Sequence, residues 1–301
     1  MAKTVSQAFQ EFMQRYEPSP WQKDTISRHH NYIRSVLANK INIVEDFLTG
    51  SYIKQTQIKP PTDIDLFIVL DLKYEQSYYP NNANKLLNNF KKLLQQTYPY
   101  SCLKPDGQAV VIEFSDGIKM DVVPAFQRKN SGYLIPNANK NTFIPTDPKQ
   151  YNDLLSNGNQ ALDRKLKPII KMIKCWSVTW WNLLRSSHIE IISLNCFCDL
   201  SQGKCYPFED YQYGLEIFFR KAKSCINNPS YEPIVGDKID SYLDSYVPIN
   251  QQSYRKIDVL AHLFGEHHKK ILKAIQLQNS GYHREAIEIW KELFDDYFPS
   301  Y

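Results

Sequence analysis

No apolar stretch in this chain approaches the roughly 18–20 residues that a membrane-crossing helix needs, so no spanning helix is expected. The opening segment, MAKTVSQAFQEFMQRYEPSP, lacks an apolar leader and carries Glu11. A secretion signal is therefore not expected, and the cytoplasm is the expected compartment. Strong charge bias is missing too: 36 Lys and Arg against 32 Asp and Glu leave a formal net charge of +4. A duplex-binding protein would carry a basic stripe, so there is no strong nucleic-acid signal. Without a secretion signal, the cysteines Cys102, Cys175, Cys196, Cys198, Cys205 and Cys225 are expected to be reduced. Cys196-x-Cys198 with Cys205 matches no common zinc spacing, so burial is their expected use. The G-x-x-x-x-G-K-[ST] phosphate loop is absent, and no internal repeat is visible.

What remains is a chain of 301 residues, 43% hydrophobic, enough for one large or two modest domains around a real core. Periodicity predicts helices over 5–15, 21–40, 84–96, 159–182 (broken at Pro168), 188–199, 208–226, 252–278 and 282–296. Strands are expected near 63–71, 108–114 and 118–124, with 132–148 a loop holding a short strand at 133–135 and 228–233 a surface loop. The closing segment AIEIWKELFDDYFP gathers Ala286, Ile289, Trp290, Leu293, Phe294 and Tyr297 on one helical face, which reads as packing. The pairs His29-His30 and His267-His268 lie in polar helical stretches and are expected to be exposed.

The chemistry concentrates in Phe47 to Asp71, FLTGSYIKQTQIKPPTDIDLFIVLD. Side chains alternate across a strand, so Asp63 and Asp65 share one face while Ile64 and Leu66 take the other. Two neighbouring carboxylates repel, and burying either alone is costly. A solvated strand start would tolerate them; a divalent cation would require them, since Mg2+ takes carboxylates together with substrate phosphates. Upstream, Gly50-Ser51 offers a turn where backbone can approach a ligand and hold phosphate oxygens. Downstream, VVIEF and IKMDVV read as a hairpin that puts Asp121 in mid-strand. Beside Asp63 and Asp65 it would complete a two-metal cluster for in-line displacement.

GSYIKQT, PPTDIDLFIVL and KMDVVPAF, in that order, resemble the polymerase-beta-like nucleotidyltransferase superfamily, and more narrowly the bacterial CD-NTases related to cGAS, DncV and the oligoadenylate synthases. The pattern is a helix leading to G-S, a nearby Thr (here Thr56), D-I-D on a strand and a third Asp before V-V-P. LKPIIKMIKCW resembles the family helix whose Lys contacts the donor triphosphate, which implies that role for Lys174; from spacing alone Lys174 reads as a solvated helix residue. SSHIEI resembles the family's S-Y-H-L-E, which implies a phosphate contact for Ser186 and leaves Ser187 where a base-stacking aromatic would stand. Read bottom-up, Ser186 is an ordinary helix N-cap.

The resemblance implies an α+β protein: a nucleotidyltransferase core over 1–155, including the N-terminal helices, then a helical domain over 156–301 that completes the nucleotide pocket, with a central cleft between them. It implies two Mg2+ or Mn2+ ions on Asp63, Asp65 and Asp121, with Gly50, Ser51, Lys174 and Ser186 binding nucleotide. Ribonucleoside triphosphates would be joined into a cyclic di- or trinucleotide messenger for antiphage signalling, with regulatory or effector proteins of a defence operon as partners. An RNA-modifying nucleotidyltransferase of CCA-adding or poly(A) type shares the same sheet and triad, and a non-catalytic nucleotide-binding module could retain the fold. An intact carboxylate triad speaks against the last, and low charge against the RNA enzyme.

Overall fold

The computed structural model describes residues 3–16, 19–58, 63–99, 102–227, 243–249 and 252–301. They form two compact units, Pro18–Asp153 and Met1–Glu17 with Leu154–Tyr301.

The first unit is built on a seven-stranded sheet with a central order β1 (Ile43–Thr49), β2 (Asp63–Leu70), β5 (Lys119–Gln127), β4 (Ala109–Glu113), β3 (Cys102–Asp106). The hairpin β6 (Tyr133–Asn137) and β7 (Thr142–Thr146) joins at the far end of β5. Only β2 and β5 run parallel; the other pairs are antiparallel. Alternation then divides the sheet into two faces. On one, Ile64, Leu66, Ile68 and Leu70 pack with Val110, Ile112, Met120 and Val122 beneath α2 (Pro20–Ala38) and α5 (Ala83–Gln95). The α5 helix buries Ala83, Leu86, Leu87, Phe90 and Leu94, an i, i+3, i+4, i+7 stripe. Each such aliphatic is worth about 1.5–3 kcal/mol of burial. The other face holds a smaller cluster of Phe67, Val69, Val123, Ala125, Tyr133 and Ile135. Asp63, Asp65 and Asp121 precede that cluster on the same face, by strand parity.

The second unit is helical: the later part of α6 (Pro148–Ala161), α7 (Leu166–Thr179), α8 (Ser186–Phe197), α9 (Tyr211–Asn227), α10 (Lys256–Asn279) and α11 (His283–Phe294). Helix α1 (Val5–Gln14) belongs to it, whereas the sequence grouped α1 with the sheet. The reason is aromatic packing. The Phe9 ring lies 5.0 Å from both Trp290 and Phe298, and Phe12 lies 5.0 Å from Phe294. Lys3 Nζ donates to the Ser300 carbonyl at 2.8 Å, and Tyr16 OH to that of Tyr297 at 2.6 Å.

Several expectations are corrected. The 159–182 helix breaks at Asp163 and Arg164, whose φ of +51° and +62° cannot continue a helix. Pro168 instead sits in the first turn of α7, where its missing N–H costs nothing. The start of the 252–278 segment is a strand: β10 (Tyr246–Ile249) and β11 (Gln252–Arg255) form a hairpin before α10. Strands β1, β3 and β7 were not expected. His267 is buried, accepting a hydrogen bond at Nδ1 from Trp176 Nε1 at 2.9 Å, and burial pushes its pKa down to about 4. The reduced-thiol expectation fails for one pair: Cys198 and Cys205 face each other on the short strands β8 (Cys198–Asp199) and β9 (Lys204–Cys205) and are disulfide-bonded. The loop read at 228–233 lies outside the described residues.

Candidate active site

Parallel pairing of β2 with β5 puts Asp65 directly beside Asp121, and antiparallel pairing with β1 puts Thr49 on its other side. Neighbouring strands lie about 4.8 Å apart, so residues in register share a face and adjoin. Asp63, one pleat earlier, is paired in register with Lys119. Lys119 in turn faces Glu113 on β4 and bonds to it at 2.9 Å. The site face is thus a row Thr49, Asp65, Asp121, Val111, bordered by a row Asp63, Lys119, Glu113.

Electrostatics follow from that register. Burial pushes the Asp121 carboxyl up to about 7; the charges of Asp65, Asp63 and Asp106 push the same way, and Lys119 opposes them. A carboxylate so placed favours either a proton or a cation. The donor set, all carboxylate oxygen, suits a hard divalent ion. Among the described residues no three such groups already converge on one ion-sized point. The arrangement is a shared acidic face.

The Gly-Ser turn is explained by Asp65. Gly50 opens the one-turn helix α3 (Gly50–Ile53) with φ +70°, and a Cβ there would stand 1.7 Å from Asp65 Oδ2. No other residue fits both the left-handed backbone and that approach. Ser51 follows, half-buried, and its carbonyl accepts from the Thr56 N–H at 3.0 Å; Thr56 is fully buried. Gly50, Ser51, Asp63, Asp65 and Asp121 therefore lie together in the first unit.

The remaining two expected residues lie in the second unit. Lys174 is not a solvated lysine: it is 4% exposed, and its Nζ meets Glu190 Oε1, itself 0% exposed, at 2.9 Å across α7 and α8. Ser186 is exposed and is the first residue of α8; Arg185, not Ser186, occupies the N-cap. Sequence reasoning passed over Glu190 and Lys119. Glu190 stood in the quoted SSHIEI, one helical turn beyond Ser186, and Lys119 stood two positions before Asp121 on the same strand face.

The family described as "Second Messenger Oligonucleotide or Dinucleotide Synthetase domain" matches residues 3–159. The chain is 26% identical to "Probable cyclic nucleotide synthase IK1_05630" of Bacillus cereus, across 100% of this chain and 99% of that protein. It is 24% identical to the "Cyclic AMP-AMP-AMP synthase" of Acinetobacter sp. over 58% of this chain and 52% of that protein, about half the length of that relative. Among solved structures, CdnC of E. coli MS115-1 with ATP aligns with a TM-score of 0.72 at 16% identity, covering 98% of this chain and 99% of that one. The DncV cyclic AMP-GMP synthase of Vibrio cholerae aligns with a TM-score of 0.60 at 14% identity, covering 85% and 70%. These structural likenesses establish the fold.

Proposed function

The chain belongs to the Second Messenger Oligonucleotide or Dinucleotide Synthetase family, and on that premise we propose that Asp63, Asp65 and Asp121 form the cation-holding centre of its nucleotidyl transfer. It is a CD-NTase, a nucleotidyltransferase that makes cyclic oligonucleotide messengers in CBASS-type signalling. Divalent metal use belongs to the family. The finer reading is that two ions, Mg2+ or Mn2+, sit on these three carboxylates. The observation that carries it is the Asp65–Asp121 register, with Gly50 pressed against Asp65.

When bound, the ions would activate the acceptor ribose hydroxyl and neutralise charge on the departing pyrophosphate. The chain's own residues do the rest. Asp121, mid-strand and beside Asp65, orients the attacking hydroxyl and, ionised, accepts its hydrogen bond. The left-handed Gly50 brings backbone close to the triphosphate, and Ser51 adds a hydroxyl and an N–H donor. Ser186 contributes a hydroxyl at the start of α8, where N–H groups and the helix dipole favour phosphate. Lys174, held by Glu190, presents a positioned cation to the triphosphate tail. Ribonucleoside triphosphates are the substrates under this reading, and the cytoplasm, where they are abundant, is the compartment. The E. coli MS115-1 CdnC has been solved in complex with HORMA; a regulatory protein of that kind is the partner class we propose.

The test uses purified protein, radiolabelled ribonucleoside triphosphates and Mg2+ or Mn2+. A closed ring has no terminal phosphate, so a labelled product that survives alkaline phosphatase and disappears in Asp121→Ala is expected. Label entering only when RNA is supplied would overturn the reading, as would product formation undiminished in Asp121→Ala. Omitting triphosphates in turn names the bases.

A further inference from the structure

The second unit carries a cysteine cluster that nucleotidyl transfer does not use. Cys196, fully buried near the end of α8, and Cys225, half-buried near the end of α9, bring their sulfurs to 3.8 Å. That separation is van der Waals contact, short enough for a bond to form by side-chain adjustment. Two residues beyond Cys196 stands Cys198, already bonded to Cys205. Cys196, Cys198, Tyr206 and Lys221 line one open pocket of about 470 Å³, and Lys221 Nζ donates to the Cys196 carbonyl at 2.8 Å. A cation fixed beside a thiol pair, with an opening to solvent, is the setting in which thiols react. Cys175, by contrast, is buried, and among the described residues no thiol contact of this kind is seen for it.

We propose that Cys196 and Cys225 are a peroxide-reactive thiol pair that closes into a disulfide, stapling α8 to α9. Cys225 is the attacking sulfur. It is the more accessible of the two, and its thiol is held below its ordinary pKa by the hydrogen bond with Cys196, with Lys221 adding to the effect, whereas burial holds Cys196 well above. The Cys225 thiolate attacks a hydroperoxide oxygen: an S–O bond forms, the O–O bond breaks, and water leaves after taking a proton. The Cys196 sulfur then attacks the Cys225 sulfur. An S–S bond forms, the S–O bond breaks, and a second water departs with the Cys196 proton. Both thiols are oxidised and one peroxide is reduced to two waters, so atoms and electrons balance. Disulfides in a reducing compartment are mostly transient or redox-sensing, and Cys196 lies on the helix that bears Ser186 and Glu190.

The experiment treats the full-length protein with hydrogen peroxide, digests it without reductant and maps it by mass spectrometry. A Cys196–Cys225 cross-linked peptide is expected, reversible by dithiothreitol and absent in Cys225→Ser, where Cys196 stays reduced. The closed loop spans 29 positions, so the oxidised protein is expected to melt several degrees above the reduced one. The part of that rise owed to this bond is missing from Cys225→Ser, and Cys225→Ala serves if the serine variant does not fold. Three results overturn the proposal: Cys225 driven to sulfinic acid with Cys196 untouched, Cys196 found joined to Cys198 or Cys205, or stoichiometric zinc that protects Cys196 and Cys225 from peroxide.

Discussion

Asp65 and Asp121 stand side by side on adjacent strands with like charge, while Lys174 and Glu190 meet across two helices with opposite charge. Both arrangements place charge where water is scarce. The helix pair compensates its own desolvation with a buried ion pair at 2.9 Å. The strand pair does the reverse: burial lifts the Asp121 pKa to about 7, and the charge of Asp65 beside it pushes the same way. Perturbed carboxylates of this kind cluster at functional sites. The contrast separates a charge compensated within the chain from like charges left to repel one another, the arrangement proposed above to hold cations.

Breaking the like-charged side should have the largest effect. Asp65→Ala or Asp63→Ala is expected to lower nucleotide incorporation by at least about a thousandfold, since metal stabilisation is worth several kcal/mol in the transition state. The melting temperature should hold or rise slightly. Normal turnover by either variant would remove the metal reading.

On the opposite-charged side, Lys174→Met should cost about 3–5 kcal/mol in urea unfolding, because it strands Glu190 in the interior. Combining it with Glu190→Leu should recover most of that loss. Non-hydrolysable triphosphate titrations of the stable double variant then sharpen the comparison. Unchanged affinity would make Lys174 purely structural.

Gly50→Ala tests how closely the turn and Asp65 depend on one another. The added Cβ meets Asp65 Oδ2 at 1.7 Å in a left-handed backbone, so a stability loss of about 1–3 kcal/mol is expected. Activity should fall further than stability does, because the carboxylate itself must move. Equal losses in both would argue that the turn is only a turn.

The smallest effect is one of pH. Folding raises the Asp121 pKa from 3.8 to about 7, so ionised Asp121 opposes folding. The penalty is absent below the unfolded value, grows through the interval and is complete above about pH 7. In divalent-free buffer, Asp121→Asn should therefore stabilise the protein at pH 8 and change its stability little at pH 4. A variant that melts lower at pH 8 would show the like-charge account to be mistaken.

Legibility in the sequence tracked how local the cause was. Period two alone put Asp63 and Asp65 on one face, and the structure has β2 at Asp63–Leu70 within a residue of the expected span. The α5 stripe was equally readable, Ala83–Gln95 against an expected 84–96. Register was not readable: that Asp65 adjoins Asp121 depends on a parallel crossover through α4 (Leu72–Tyr78), α5, β3 and β4. Nor was the fate of Lys174, because its partner sits on the next helix and only packing brings them together. The resemblance named Gly50, but the reason for glycine there is a side chain 15 positions away whose approach no local pattern encodes. The Cys198–Cys205 bond escaped because compartment, the usual guide to cysteine chemistry, pointed to free thiols. The proposed service of the carboxylates as metal ligands rests on motif order and geometry together and is what the variants above test; the proposed phosphate roles of Ser51 and Ser186 rest on motif order.

The clasp between α1 and α11 has a consequence for how the molecule is born. Tyr16 and Tyr297, joined by a hydrogen bond, are 281 positions apart, and the residues of the sheet unit fall between the two helices in sequence. A ribosome delivers α1 well before α11, so Phe9 and Phe12 must wait for Trp290, Phe294 and Phe298 while the sheet unit is made. The intervening sheet, whose pairings all fall within its own span, can form meanwhile. Until that clasp closes, the chain presents a folded carboxylate-bearing sheet and an uncovered, apolar α1, a surface that invites chaperones and proteases. Closure of the clasp therefore separates chains with a closed helical unit from those that carry the acidic face alone.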